Sequence, residues 1–310
     1  MQHFLSLADL TSEQLRDLID LAVDLKEEWK QAGNRPLLEG KTLGMIFQKP
    51  SLRTRASFEM GMLHLGGHAL YFSPFEIQLG ERESVTDVSR VFSRYVDGIM
   101  ARVFGHNDVV VLAEYSSAPV INGLSDYNHP CQALSDFLTI VENKSKDLEG
   151  RKLAFVGDGN NVATSLLFGA TLMGMDFAIA TPSGYELPDD VWEQGERFAA
   201  ASGSHLFATH DPQTAAADAD VVYTDVWASM GEEEEAEERA RVFEPFQVNQ
   251  ALLDKAKSDV IAMHCLPAHR GQEITDAVCD GPHSVLWDQA ENRMHAQKAL
   301  LVDLMAEDRL

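Results

Sequence analysis

The chain has 310 residues, long for one core and comfortable for two domains of ordinary size. Its composition, 45% hydrophobic and 24% charged, is that of a folded globular protein, and no apolar run approaches the roughly 20 residues of a membrane-spanning helix. With 49 acidic against 25 basic residues, a net charge of −24, it lacks the basic face that a nucleic-acid partner requires.

Taken in order, the chain alternates helical and strand patterns. Leu15, Leu18, Ile19, Ala22, Leu25 and Trp29 recur at helical spacing, so Thr11 to Ala32 is predicted as a helix, with Thr11 and Gln14 as its capping box and Gly33 as its stop. "KTLGMIFQKP" reads as a buried strand running to Pro50. "SLRTRASFEMGMLHL" reads as a helix stopped by Gly66 and Gly67. Next come a strand in "HALYFSP", a helix in "SVTDVSRVFSRY", a strand in "GIMARVF" and a helix in "DVVVLAEYS", despite its valines. A strand in "PVINGLS" and a helix in "HPCQALSDFLTIVEN" complete this half. The polar stretch "NKSKDLEG" separates it from a second alternation: "RKLAFVGDG", "NVATSLLFGATLMG", "MDFAIATP", "DDVWEQGERFAAASG", "DVVYTDVW", "NQALLDKA" and "VIAMHCLP". A long final helix then runs from His283 to Leu310. The alternation predicts two α/β domains, each a parallel sheet flanked by helices: residues 1–145 and residues 146–288, with a C-terminal helix over 289–310 returning to the first. The glutamate run beginning at Gly231 reads as a solvated surface segment. The first residues show no basic region followed by an apolar block, so no signal peptide is expected. Cys131, Cys265 and Cys279 are odd in number and not at metal-ligand spacing, which fits a reducing, cytoplasmic setting.

In an open parallel sheet, ligands bind at the carboxyl ends of the strands. Six polar clusters fall at such ends. Ser51, Arg53, Thr54 and Arg55 open a helix, where unpaired N–H groups and a partial positive charge suit a phosphate-like anion; an ordinary Ser N-cap with surface arginines accounts for them equally well. Arg102 ends a strand, as a ligand or a salt-bridge partner. His129 and Gln132 share the first turn of a helix begun by Pro130, where capping by Asn128 is the plainer reading. "GDGNN" departs from a dinucleotide fingerprint, with Val162 in the third glycine position and Thr181 where an acidic ribose partner belongs. A nicotinamide cofactor is therefore disfavoured, and Asn160 and Asn161 offer amides to a carboxylate or an amine. Asp225 ends a strand before the turn Ser229–Met230–Gly231. His264 and Cys265 are adjacent on a strand and so are expected on opposite faces, which argues against a Cys–His nucleophile pair. No partner cluster has zinc spacing.

In this order the clusters resemble the ornithine carbamoyltransferase family, a branch of the aspartate/ornithine carbamoyltransferases. "SLRTR" matches the phosphate motif and "HPCQ" the carbamoyl motif. "GDGNN", "DVWASMG" and "HCLPAHRG" match the amino-acid motifs, and "AENRMHAQKALL" matches the last helix. The resemblance spans essentially the whole chain. It implies a carbamoyl phosphate domain followed by an ornithine domain, and a reaction giving L-citrulline and phosphate without metal or organic cofactor. It also implies a homotrimer. Carried over, it gives Ser51, Leu52, Arg53 and Thr54 to the phosphate, with Gln78 reaching in from a neighbouring subunit. Arg102, His129 and Gln132 would grip the carbamoyl group, with Cys265, Leu266 and Arg293 where the two substrates meet. Asn161, Asp225, Ser229 and Met230 would hold the ends of ornithine. The residues it casts as catalytic are Arg53, Arg102, His129, Asp225 and Cys265, and a non-catalytic relative would be expected to have lost some of them. Leu52 stands where the commoner motif has threonine, as in some relatives that act on acylated ornithines. The alternative is a carbamoyltransferase acting on a related amine, such as putrescine or an acylated ornithine.

Overall fold

Gln14 N–H donates to Thr11 Oγ1 at 3.1 Å and Thr11 N–H to Gln14 Oε1 at 2.9 Å, so the reciprocal box expected from the sequence starts α1 (Ser12–Ala32). Its apolar stripe is buried from Leu15 to Leu25. The structure, a computed structural model, describes residues 1–228 and 235–307. It falls into two units, Met1–Leu138 with Glu291–Leu310, and Thr139–Ala290.

The first unit continues with β1 (Thr42–Phe47), α2 (Leu52–His64), β2 (His68–Phe72), the single turn α3 (Pro74–Ile77), α4 (Val85–Phe92), β3 (Gly98–Arg102), α5 (His106–Tyr115), β4 (Val120–Leu124) and α6 (Pro130–Asn143). Its sheet is parallel, in the order β2-β1-β3-β4. β3 and β4 are buried along their whole length, as strands covered on both faces must be. Ile46, Ile99, Ala101, Val109, Leu112 and Val120 belong to one core. That packing holds α5 helical against the strand propensity of its valines. The chain leaves β1 toward β2 and returns on the other side to β3, so the order reverses between β1 and β3. There Phe47 pairs with Arg102, and Gln48 N–H donates to the Arg102 carbonyl at 2.8 Å. Two of the polar clusters thus begin side by side at a switch point of the sheet.

The last helix, α13 (Leu286–Met305), is bound into this unit by buried polar contacts. Lys26 Nζ donates to Asn292 Oδ1 at 2.7 Å, and Lys298 Nζ donates to Asn34 Oδ1 at 2.6 Å while facing the Trp29 ring. It starts at Leu286, later than the His283 read from the sequence, because the residues before it form a bridge to β9 at Ser284.

The second unit contains β5 (Lys152–Val156), α7 (Asn161–Met173), β6 (Asp176–Ala180), α8 (Asp189–Ser202), β7 (Leu206–Thr209), α9 (Pro212–Ala216), β8 (Val221–Thr224), α10 (Ala236–Val242), α11 (Gln250–Leu253), β9 (Ile261–His264) and α12 (Asp276–Cys279). Its sheet is parallel, in the order β7-β6-β5-β8-β9, with its reversal between β5 and β8. α7 is buried all round from Val162 to Met173, which is why its sequence shows no polar face. The sequence reading missed β7 and α9. β7 is a four-residue edge strand, half-exposed, and carries no apolar run to betray it. The two units reproduce the fold class expected from the alternation. The division between them falls inside α6, ahead of the polar stretch Asn143–Gly150. Among the described residues no helix is long and apolar enough to cross a membrane.

Candidate active site

In the first unit the chain leaves β1 through Lys49 and Pro50, and Ser51 caps α2. Its Oγ accepts the Thr54 N–H at 3.2 Å and donates to Thr54 Oγ1 at 3.1 Å. The N-cap reading therefore holds, and the same cap fixes the first turn of the helix, whose early N–H groups have no intrahelical partners. The two arginines of the motif part company. Arg55 is committed to structure, paired with Glu59 at 2.9 Å and lying 3.9 Å over the Tyr71 ring. Arg53 is half-buried in the first turn and pairs with no described carboxylate. Leu52 is 80% exposed, so its side chain contributes nothing to packing here.

The return of α13 adds Arg293, which donates to Gln132 Oε1 at 2.8 Å and to Thr54 Oγ1 at 3.3 Å. Gln132 in turn donates to Asp136 at 2.8 Å. Residues far apart in sequence are thereby fixed around one place: Thr54 from α2, Gln132 from α6 and Arg293 from α13, all buried. His129, buried just before α6, belongs to the same place. Burial holds its imidazole well below the ordinary value of 6.5, and the positive charges of Arg293, Arg102, Lys49 and Arg53 push it further down. His129 is thus neutral at pH 7 and offers one ring N–H as a donor.

A test follows from the sign of that shift. The unfolded chain takes up a proton near pH 6.5 that the folded site refuses, so the His129 contribution to stability is complete above 6.5 and is lost as the pH falls below it. Thermal unfolding is expected to shift down as the pH drops through this range, by no more than about 1.4 kcal/mol per pH unit from this one group. His129→Gln should flatten that dependence. An unchanged pH slope in the variant would contradict the burial of a neutral histidine.

Lys49 was not singled out in the sequence. It precedes Pro50 in the motif, but only the fold shows that it faces the same place. Burial lowers its pKa, the Arg102 charge adds to this and Asp126 opposes it, and its Nζ lies 5.0 Å from the Phe104 ring. Gln78 lies elsewhere in the chain's economy. It is exposed, ends α3 in a left-handed conformation with φ 43°, and makes no side-chain hydrogen bond to a described residue.

In the second unit, the turn after β5 carries the "GDGNN" motif. Gly157 has φ 147°, and a Cβ on Gly159 would meet the Glu186 carbonyl carbon at 2.5 Å. These glycines serve a tight turn and a close backbone approach within the protein, with no need of a dinucleotide. Asn160 is spent as the cap of α7: its Oδ1 accepts from Val162 N and Ala163 N at 2.9 and 3.1 Å, and its Nδ2 donates to Asp225 Oδ2 at 2.9 Å. Asn161 is the half-buried first residue of α7. Asp225, buried past the end of β8, has its other oxygen, Oδ1, facing Cys265 Sγ at 2.9 Å. The carboxylate is thus held from both sides. Ser229 and Met230 lie outside the described residues, as does part of the glutamate run.

The expected separation of His264 and Cys265 is corrected by the structure. β9 ends at His264, strand alternation stops there, and the ligating atoms of Asp225, His264 and Cys265 lie within 4.8 Å of one another. These three are donors a metal could use in principle. Both ring nitrogens of His264, however, are already hydrogen-bonded, to Leu266 N and to Glu273. A metal would find only the carboxylate and the thiol, short of the four ligands of a structural zinc site. Cys265 and Leu266, assigned to carbamoyl phosphate by resemblance, belong to this unit, and Cys265 lies beside Asp225. The sequence reading also missed Arg239 of α10, which donates to Asp158 at 2.9 Å and to the Trp227 carbonyl at 2.9 Å, tying the "GDG" turn to the segment after Asp225.

Comparison with known proteins agrees with this division of labour. The family model described as the aspartate/ornithine carbamoyltransferase carbamoyl-P binding domain matches residues 2–142, and the one described as the Asp/Orn binding domain of the same enzymes matches residues 149–304. An ornithine carbamoyltransferase from Pyrococcus abyssi is 57% identical over 97% of this chain and 95% of its own length, and one from Anoxybacillus flavithermus is 55% identical over 97% and 96%. The solved structure of ornithine carbamoyltransferase from Pyrococcus furiosus, 55% identical, superposes with a TM-score of 0.96, covering 99% of this chain and 98% of its own. With two family models dividing nearly the whole sequence between them and relatives identical at more than half their positions, the chain belongs to the aspartate/ornithine carbamoyltransferases.

Proposed function

We propose that the protein transfers the carbamoyl group of carbamoyl phosphate to the δ-amine of L-ornithine, giving L-citrulline and phosphate. The observation that carries this reading is the gathering of Lys49, Arg53, Arg102 and Arg293 around a neutral His129 and the capped start of α2, in a chain whose net charge would otherwise repel a dianion.

The chemistry follows from the residues in hand. The phosphate of carbamoyl phosphate takes the first-turn N–H groups of α2 with Ser51, Arg53 and Thr54, and Lys49 adds charge. Attack on the carbonyl carbon places negative charge on the carbamoyl oxygen. Thr54, Arg102 and His129 supply donors to it, and one such donor is worth about 3 kcal/mol in the transition state. His129, although neutral, still offers one ring N–H for this task. Gln132, oriented by Arg293 and Asp136, presents its amide to the carbamoyl nitrogen. Ornithine attacks as the free amine, since an ammonium has no lone pair. The amine proton shed on forming the new C–N bond balances the phosphate, which departs as the monoprotonated dianion. Asp225, fixed by Asn160 and Cys265, holds the α-ammonium. Asn161 stands in the same unit at the start of α7, where the helix dipole favours the α-carboxylate.

Asp225 also favours free ornithine over the alternatives. An acylated ornithine has no α-ammonium to meet this carboxylate, and putrescine has no carboxylate for the Asn161 end. Leu52 removes one hydroxyl from the commoner motif but leaves the backbone N–H. Assaying carbamoyl transfer to ornithine, N-acetylornithine and putrescine side by side tests the reading: ornithine is expected to be the preferred acceptor, and preference for either other amine would overturn it.

We read the exposed Gln78 as completing the phosphate site of a neighbouring subunit in a homotrimer, because its exposed side chain makes no hydrogen bond to a described residue. Sedimentation should give the mass of three chains, and Gln78→Ala should raise the KM for carbamoyl phosphate about tenfold, the worth of one hydrogen bond to a charged group. A fully active monomer would contradict this.

A further inference from the structure

β9 delivers a buried pair to the start of the "HCLP" segment. His264 and Glu273 are both fully buried, and their side chains meet at 3.1 Å between Nε2 and Oε1. The other ring nitrogen, Nδ1, accepts the Leu266 N–H at 2.8 Å. An acceptor at Nδ1 carries no proton, so the proton sits on Nε2 and is donated to Glu273. Oε1 of Glu273 accepts a second hydrogen bond, from the His269 N–H, and so holds the segment again further along. The His264 backbone is pinned as well, its N–H donating to Gln289 Oε1 at 2.9 Å.

What this apparatus holds is unusual backbone. Leu266 has φ 58°, one of three non-glycine residues at positive φ among those described. A left-handed leucine is unfavourable on its own and persists only where its surroundings fix it. The bond from its N–H to the His264 ring is a local fixture of that kind, two residues long. Oε1 of Glu273 determines which tautomer the ring adopts, and the tautomer determines whether Nδ1 can accept. Cys265, between the two bonded residues, is thereby set with its sulfur against Asp225.

We propose that His264 and Glu273 are positioning residues for carbamoyl transfer. Glu273 fixes the His264 tautomer, and His264 in turn fixes the left-handed Leu266 turn that presents Cys265 and Leu266 to the reactants. The proposal rests on the carbamoyl-transfer reading for what Cys265 and Leu266 meet. His264 touches neither substrate in this account; it acts through the turn.

Two isosteric replacements separate the two bonds of the ring. In His264→Asn the amide oxygen takes the place of Nδ1 and still accepts the Leu266 N–H, while the link to Glu273 is lost. In His264→Gln the amide nitrogen takes the place of Nε2 and still donates to Glu273, while the Leu266 N–H loses its acceptor. The expected result is a kcat for citrulline formation within about tenfold of the unsubstituted protein in His264→Asn, and lower by about a hundredfold in His264→Gln, as a small misplacement of a reacting group produces. The affinity for carbamoyl phosphate, measured by calorimetry, is expected to stay within about threefold in both, since its phosphate residues are in the other unit. Equal kcat in the two variants, or losses that simply track their melting temperatures, would overturn the proposal. Glu273→Gln is the second arm: its amide oxygen still accepts from Nε2 and from the His269 N–H, so kcat should remain within about tenfold of the unsubstituted protein. A hundredfold loss there at unchanged melting temperature would give the role to the carboxylate charge and also overturn it. Failure of the underlying reading is distinguishable, because in that case the unsubstituted protein itself would form no citrulline.

Discussion

Replacing Arg53 by alanine is expected to lower kcat/KM for carbamoyl phosphate by about a thousandfold while leaving the melting temperature within about a degree of the unsubstituted protein. The two halves of this expectation have separate grounds. Arg53 is half-buried, in the first turn of a helix capped by Ser51, and pairs with no described carboxylate, so its removal breaks no stabilising ion pair. Its charge nevertheless reaches His129, alongside those of Arg293, Arg102 and Lys49. We read a cation that pairs with no described carboxylate, in so acidic a protein, as one that serves a ligand. The growing charge on the departing phosphate is what it would meet, so the loss should fall on turnover as well as on binding. Steady-state kinetics beside a thermal melt check both halves. Near-normal turnover would remove the anion site from the start of α2. Arg55→Ala is the contrast, since its partners are Glu59 and the Tyr71 ring: it should cost stability and spare turnover.

The second large effect is expected at Asp225. Asp225→Asn should raise the ornithine KM by about a hundredfold, the worth of a buried hydrogen bond to a charged group, and leave carbamoyl phosphate affinity unchanged within about threefold. The substitution keeps the shape and removes the charge. It also costs stability, because Asn160 Nδ2 and Cys265 Sγ both donate to this carboxylate and an amide can face only one of them with an oxygen. Calorimetry with each ligand separately, corrected for the folded fraction, reads the outcome. Equal weakening of both ligands would take Asp225 away from the amino-acid side.

Much of what each unit contributes was legible in the sequence because each parallel sheet brings its own motifs to one edge. In the first unit Ser51 follows β1 and Arg102 ends β3, and in the second Asn161 follows β5 and Asp225 follows β8, so each pair flanks the point where its own sheet reverses. Three kinds of feature were not legible. Arg293 meets Thr54 across the length of the chain, and no local pattern announces that α13 returns to α2; only the family resemblance pointed to it. Asn160 and Asn161 look interchangeable in sequence, yet the first is consumed as a cap and as the partner of Asp225. His264 and Cys265 obey strand alternation only up to the last residue of β9, and the buried Glu273 that organises the turn beyond carries no motif of its own. The edge strand β7 escaped for the opposite reason: half-exposed and four residues long, it needs too few apolar residues to show a period.

The fate of the carbamoyl carbon tests carbamoyl transfer to ornithine most directly. Carbamoyl phosphate labelled at its carbonyl carbon, incubated with the protein and with ornithine labelled at its δ-nitrogen, is followed by nuclear magnetic resonance. The prediction is a ureido carbon coupled directly to the δ-nitrogen, appearing in step with free phosphate. Label recovered only as carbon dioxide or cyanate, with ornithine unchanged, would contradict it.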